Sequence, residues 1–216
     1  MTRSKLTICM LSRDLMHAHT SMCLNKVVTD PELSERYNVL YKMFIGCSSL
    51  NITRSIALTE WFQNSFNGDL FLFIDADQMF TPKDVLKAIS LLHETESDVV
   101  CGAYPRHDDK PTCKAYDQET FLTENHGKLK YGATGFMLIS KRILDTMDLM
   151  PVHVENRTDN VIPYFQSRVV EESQNINLWL AEDYSFCWLV RRHKGKIYGF
   201  ISPTLGHILS SHKYLT

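Results

Sequence analysis

Two acids separated by a single residue close a run of apolar side chains: Asp69–Asp77 reads DLFLFIDAD. A continuous apolar run of this kind reads as a central strand covered on both faces. Ligands of open α/β sheets collect beyond the carboxyl ends of such strands. Alternation along the strand puts Asp75 and Asp77 on one side, aimed at a common point. Carboxylates held that close repel each other unless a cation stands between them. Mg2+ and Mn2+, hard ions that also take phosphate oxygens, suit the place. The plainer account is a strand that ends in solvated acids.

Two further features lie downstream. In Leu180–Trp188 (LAEDYSFCW) an apolar stretch delivers Glu182 and Asp183 to the start of an amphipathic helix. Acids are stabilised there by the helix dipole whatever else they do. A carboxylate facing a bond being made could act as general base or offset positive charge. Leu205-Gly206-His207 then follows a strand and Pro203. The glycine would let backbone and imidazole approach an ion closely, although a lone histidine is more often a surface or core residue.

In this order the three features resemble the nucleotide-sugar glycosyltransferases of the GT-A fold. There a strand-terminal D-x-D comes first, a Glu-Asp pair opens a later helix and a histidine closes the metal site. Gly132–Ile139 (GATGFMLI) also looks like that family's glycine-containing segment. The resemblance runs from Leu6 to His207 and is strongest to the glycosyltransferase domains of chlorovirus capsid-glycosylation proteins. It implies metal-dependent transfer of a hexose from a nucleotide diphosphate sugar, a UDP-sugar by family frequency, to a hydroxyl of a glycan or glycoprotein acceptor. Mn2+ or Mg2+ would be the cofactor. Asp77 and His207 would ligate the metal, and Asp75 would reach the metal or the ribose–diphosphate. Asn51 and Arg54 would approach the nucleotide, Ser12 and Arg13 line the nucleobase pocket, and Thr134 and Gly135 border the donor sugar. Glu182 or Asp183 would stand at the reaction centre. A histidine as third ligand, frequent in retaining members, tilts the expectation towards retention.

The elements that must position these residues follow from periodicity. Lys5–Leu11, Val39–Ile45, Asp98–Tyr104, Thr134–Ser140 and Ile197–Ile201 read as strands beside Asp69–Asp77. Helical spacing marks Asn51–Phe66, a segment from Thr81 to about Thr95, Lys141–Met147 and Glu182–His193. Thr81-Pro82-Lys83-Asp84 is a helix start, with a Thr cap, Pro at the first helical position and an acid close behind. Asn125-His126-Gly127 reads as a hairpin turn, and Pro151–Asn177 as a long, partly mobile loop region. Strands alternating with helices predict an α/β fold: one domain over 1–216, a central, mostly parallel mixed sheet flanked by helices, such as could be cut from a longer polypeptide.

Composition narrows the classes. The 216 residues are 44% hydrophobic and 22% charged, with a formal charge of −2. That balance speaks against a nucleic-acid binder, and no apolar run reaches the length of a membrane span. Six cysteines without CxxC spacing argue against a zinc site or disulfide framework and suit a cytoplasmic setting, a host cytoplasm if the protein is viral. A haloacid-dehalogenase-like phosphatase would want D-x-D-x-T/V, whereas Gln78-Met79 follow here. A sugar nucleotidylyltransferase would want an N-terminal glycine-rich loop where SRDLMH stands. The rival of another class is a non-catalytic carbohydrate-binding module on the same fold. Secondary candidates for acceptor contact are Tyr164, Phe165 and Trp179, and the turn His107-Asp108-Asp109-Lys110; His17-x-His19 is a weak metal candidate.

Overall fold

A computed structural model describes residues 3–12, 16–45, 49–64, 68–105, 110–173 and 176–208. In chain order the elements are β1 (Ser4–Ser12), α1 (Ala18–Val28), α2 (Pro31–Arg36), β2 (Tyr37–Ile45), α3 (Leu50–Gln63), β3 (Leu70–Asp75), β4 (Gln78–Met79), α4 (Pro82–Glu94) and β5 (Val99–Ala103). There follow β6 (Cys113–Ala115), α5 (Gln118–Glu124), β7 (His126–Gly132), β8 (Phe136–Ser140), α6 (Lys141–Leu144), β9 (Arg168–Ser173), β10 (Ile176–Leu180), α7 (Glu182–Arg192), β11 (Ile197–Ile201) and β12 (Gly206–His207).

Eight strands form one sheet in the order β2-β1-β3-β8-β5-β11-β7-β6. β1 runs parallel to β2 and β3, and β11 parallel to β5. β8 lies antiparallel between β3 and β5, so those two strands point the same way and their carboxyl ends share one edge. β7 and β6 extend the far side antiparallel. The sheet is the mixed α/β sheet that the alternation predicts, although antiparallel pairs outnumber parallel ones.

The unbroken apolar run in β3 has a simple cause. Its residues alternate between two cores, Phe71 and Phe73 facing α3 and α7, Leu70, Leu72 and Ile74 facing α1 and α4. Each fully buried Leu or Phe contributes on the order of 1.5–3 kcal/mol, so a central strand cannot alternate with polar residues. On one face Leu58, Trp61, Phe186 and Val190 close the core; on the other Leu24, Val27, Val85 and Ile89 do so.

Two expectations need correction, and one stretch without a predicted element is structured. The stretch after β1 holds two helices, α1 and α2, the second started by Asp30, whose carboxylate accepts from the Leu33 N–H. Asn125 does not turn a hairpin. It sits at φ 58 as the left-handed end of α5, a conformation Asn tolerates, and β7 begins at the next residue. Within Pro151–Asn177 the chain is not all loop: β9 pairs antiparallel with β10. That hairpin was hidden because only its inner side chains Val170, Leu178 and Leu180 reach the core.

Candidate functional site

The sheet's carboxyl edge gathers the chemistry. Asp75 is the last residue of β3, and its N–H donates to Gly135 O at 3.1 Å just before β8. The chain then turns through Ala76 and Asp77 into β4, which pairs antiparallel with β12, opposing His207 to Gln78 and Gly206 to Met79. The Ile208 N–H donates to Asp77 O at 2.8 Å, so a residue 130 positions away is clamped beside the acidic pair. One carboxylate oxygen each from Asp75 and Asp77 and one ring nitrogen of His207 all lie within 4.8 Å of one another. His207 Nδ1 stands 3.1 Å from Asp77 Oδ2, and its ring packs edge-on against Tyr104 at 4.7 Å.

The electrostatics of this corner follow from burial and charge. Burial alone would raise the Asp77 carboxyl, but the hydrogen bond and charge of His207 outweigh it and hold Asp77 below its ordinary value. Burial would likewise lower His207, yet the Asp77 hydrogen bond and the charges of Asp77 and Asp75 hold it above. The carboxylates thus draw positive charge to this point. Two oxygens and an imidazole nitrogen form a donor set that Mn2+ or Mg2+ accepts, the nitrogen favouring the softer Mn2+. The residues fit such an ion.

A second cluster joins the first through Arg54 on α3. Its guanidinium is 4% exposed and donates from Nη2 to Asp75 Oδ1 at 3.1 Å and from Nη1 to Glu182 Oε1 at 2.7 Å. Burial works against that charge, but Asp75, Glu182 and Asp183 together hold it above its ordinary value. Arg54 therefore bolts the end of β3 to the first residue of α7. Its position reads as a surface helix charge or a nucleotide contact in the sequence; the structure makes it an internal bridge.

Glu182 and Asp183 differ in their surroundings. Glu182 is engaged by the buried guanidinium, whereas the Asp183 carboxylate accepts from backbone N–H groups, that of Tyr184 at 2.7 Å. Burial, then repulsion from Glu182, pushes the Asp183 carboxyl up to about 6, with that N–H and Arg54 opposing. A carboxylate near 6 is a proton acceptor matched to neutral pH.

The other predicted residues fall at varying distances from this centre. Ser12 ends β1, one residue past the Leu11↔Asp75 pair, and is buried. Asn51 lies one turn before Arg54 on α3 and pairs with the Ser49 hydroxyl. Thr134 is buried, and Gly135 leaves room for Tyr104: a Cβ on it would lie 2.0 Å from the Tyr104 hydroxyl. Arg13 and His107-Asp108-Asp109 lie outside the described residues. Tyr164 and Phe165 are core residues, while Trp179 is exposed. His17 sits just before α1, its N–H donating to Ala76 O at 3.0 Å, and so braces the acidic turn through backbone.

Sequence reasoning missed Tyr104 and the reach of Asp84 beyond its cap. Tyr104 follows β5 directly, and its place after an apolar strand at the carboxyl edge was the available signal. Asp84 completes a capping box with Thr81 on α4 and also accepts from the Thr204 hydroxyl at 2.7 Å, three residues before His207. No sequence pattern pairs positions 84 and 204.

Comparison with known proteins accords with this geometry. Residues 54–147 match the model of Glycosyl transferase family 2, a span that includes Arg54, Asp75, Asp77 and Gly135 and stops before α7. No curated protein matches the chain in sequence. Among solved structures, A197 from STIV superposes with a TM-score of 0.60 at 17% identity, over 98% of this chain and 90% of its own. GalNAc-T7, solved with UDP, GalNAc and Mn2+, gives 0.59 at 10% identity over 96% of this chain and 43% of its own. TarS of S. aureus gives 0.52 at 11% identity over 95% and 37%. Against the last two, the chain spans less than half of the larger protein. These likenesses establish the GT-A fold and, with the family match, support a glycosyltransferase.

Proposed function

We propose that this GT-A-fold glycosyltransferase moves a hexose from a UDP-sugar to a hydroxyl of a glycan or glycoprotein, such as a capsid protein modified in a host cytoplasm. The observation that carries the reading is the convergence of Asp75, Asp77 and His207 at one end of a buried arginine whose other end holds the Glu182–Asp183 pair. The first cluster suits the donor diphosphate and the second the reacting carbon. GalNAc-T7 binding UDP with Mn2+ on the same fold supports the donor assignment.

Asp75, Asp77 and His207 would hold a divalent cation, which when bound offsets the negative charge that grows on the diphosphate as the sugar departs. The chain's own residues do the rest. Arg54 fixes Asp75 and Glu182 in one rigid frame, so that the donor end and the acceptor end keep their spacing. Asp183 takes the proton of the acceptor hydroxyl as its oxygen bonds the anomeric carbon and the bond to the diphosphate oxygen breaks. Glu182, held by Arg54, stabilises the oxocarbenium-like carbon electrostatically. With Asp183 as base the displacement is direct and the anomeric centre inverts. This departs from the lean towards retention that the histidine ligand suggested, because the environment of Asp183 is that of a base.

Calorimetric titration of UDP into the protein, with Mn2+ and then with EDTA, tests the donor site. Metal-dependent binding is expected, and UDP-sugars should then be turned over with an acceptor. Sugar binding without UDP binding under either condition would instead mark a carbohydrate-binding module. NMR of the first product formed reads the anomeric configuration.

A further inference from the structure

Trp179 is 80% exposed, the largest apolar side chain left so open among the described residues. It stands on β10 directly opposite Val169 of β9, itself 63% exposed. Two pairs further along, on the same face, exposed Glu171 opposes exposed Asn177. Alternation gives the hairpin two characters. Val170, Leu178 and Leu180 face the core, while Trp179, Val169, Glu171 and Asn177 share the outer face. An indole standing in water beside another apolar side chain costs free energy unless something covers it.

The hairpin is held firmly rather than hung loosely. Arg168 donates to the Ser185 hydroxyl of α7 at 3.0 Å and to Pro163 O at 3.2 Å. Glu172 accepts from Lys130 at 3.3 Å and from the Tyr131 hydroxyl at 3.2 Å. β9 is therefore anchored near both its ends and β10 is paired to it, so the outer face is preorganised. It also leads straight into the reaction centre: Trp179 precedes Asp183 by four residues, at most about 14 Å of chain, a length of roughly two to three sugar rings.

We propose that the outer face of the β9–β10 hairpin is a stacking subsite for a pyranose ring of the glycan acceptor. The inference rests on the glycosyltransferase reading and specifies its acceptor: an oligosaccharide, or the glycan of a glycoprotein, that extends beyond the ring receiving the new sugar. A pyranose offers an apolar C–H face to the indole and hydroxyls at its rim. Glu171 and Asn177 supply an acceptor and a donor–acceptor group on the same face for those hydroxyls. A second copy of this chain would be matched by a wider apolar face than one Trp–Val pair flanked by polar groups.

The test uses the intact protein in EDTA, titrated with methyl β-glucoside, cellotriose, maltotriose and mannotriose while intrinsic fluorescence is followed. Trp61 is 2% exposed and Trp188 is half-buried under the Arg192 guanidinium, so the response lost in Trp179→Ala isolates the Trp179 signal. A saturable blue shift with at least one trisaccharide, stronger than with the monosaccharide and absent in Trp179→Ala, is expected. In transfer assays Trp179→Ala should raise the acceptor KM about tenfold, while Trp179→Phe restores most of it. No spectral response to any of the sugars, together with an unaltered acceptor KM, would overturn the proposal. So would an equal rise in donor and acceptor KM, or a dimer in sedimentation that Trp179→Ala dissociates. If no UDP-sugar is turned over but the trisaccharide shift persists, the subsite stands and the transferase reading falls.

Discussion

Replacing Asp183 by Asn should make the protein more stable and nearly inactive, and the pH dependence of the gain identifies the cause. Between an ordinary aspartate at 3.8 and one at about 6 lie roughly 3 kcal/mol of unfavourable ionisation in the folded state. Asp183 keeps part of its solvent contact, so about half of that, ~1.5 kcal/mol, is the realistic gain. The sign follows from linkage. The folded protein holds the Asp183 proton more tightly than the unfolded chain, so this residue withdraws stability as pH rises from about 4 to about 6. Above that window the withdrawal is complete; below it there is none. Asn keeps the shape and can still accept the Tyr184 N–H, so only the charge is removed. At pH 7 the variant should melt about 3–6 °C higher than the wild type, and the two should converge as pH falls towards 4. Transfer should drop by about 10²–10⁴, the usual worth of a general base. In the wild type, kcat/KM should rise as pH passes through about 6. Calorimetric melting at several pH values and UDP release from a UDP-sugar with acceptor make the comparison. A variant no more stable at pH 7, or stabilised equally at pH 4 and 7, would refute the argument that ionised Asp183 is the cost.

The remaining predictions concern the frame around it. Asp77→Ala should abolish Mn2+-dependent UDP binding in calorimetry; unchanged manganese dependence would remove the metal site. Arg54→Met should cost about 3 kcal/mol by leaving the partly buried Asp75 and Glu182 without their cation, and Arg54→Met with Glu182→Gln should recover part of the loss in a double-mutant cycle of denaturant melts. Asp84→Ala should cost about 1–2 kcal/mol through the α4 cap and also weaken Mn2+ binding severalfold, because Thr204 loses its tie three residues before His207; metal affinity unchanged at reduced stability would confine Asp84 to capping.

Much of this site was legible because it is built from strand ends. A run such as LFLFI can only be a buried strand, and acids at its end must then lie at the sheet's carboxyl edge, where Asp75 and Asp77 are found. The start of α4 was equally plain, since Thr81, Pro82 and Asp84 act within one turn. What the sequence concealed was contact across long separations. That Arg54 ties Asp75 to Glu182 depends on how α3 and α7 lie over the same face of the sheet, and no local spacing encodes it. The β9–β10 hairpin escaped notice for a different reason: with one face in water, its Val, Trp and Glu residues carry too few core positions to announce a strand. Asn125 misled because a left-handed Asn closes helices as well as turning hairpins.

The charges of the corner also bear on the order of events. Asp75, Asp77, Glu182 and Asp183 bring four carboxylates together against one permanent cation, Arg54, and the titratable His207, with His17 also acting on Asp77. The surplus at neutral pH is negative, and a nucleoside diphosphate received there would add further negative charge. Like charges a few ångströms apart in a partly buried site cost several kcal/mol at an effective dielectric near 20. A divalent cation, were Asp75, Asp77 and His207 to hold one, would offset that charge locally, whereas Arg54 is already committed to two carboxylates. Metal should therefore bind before or together with the donor. The apparent UDP affinity should rise with free Mn2+ until the site saturates, and a UDP affinity indifferent to Mn2+ would mean that the diphosphate is received elsewhere on the molecule.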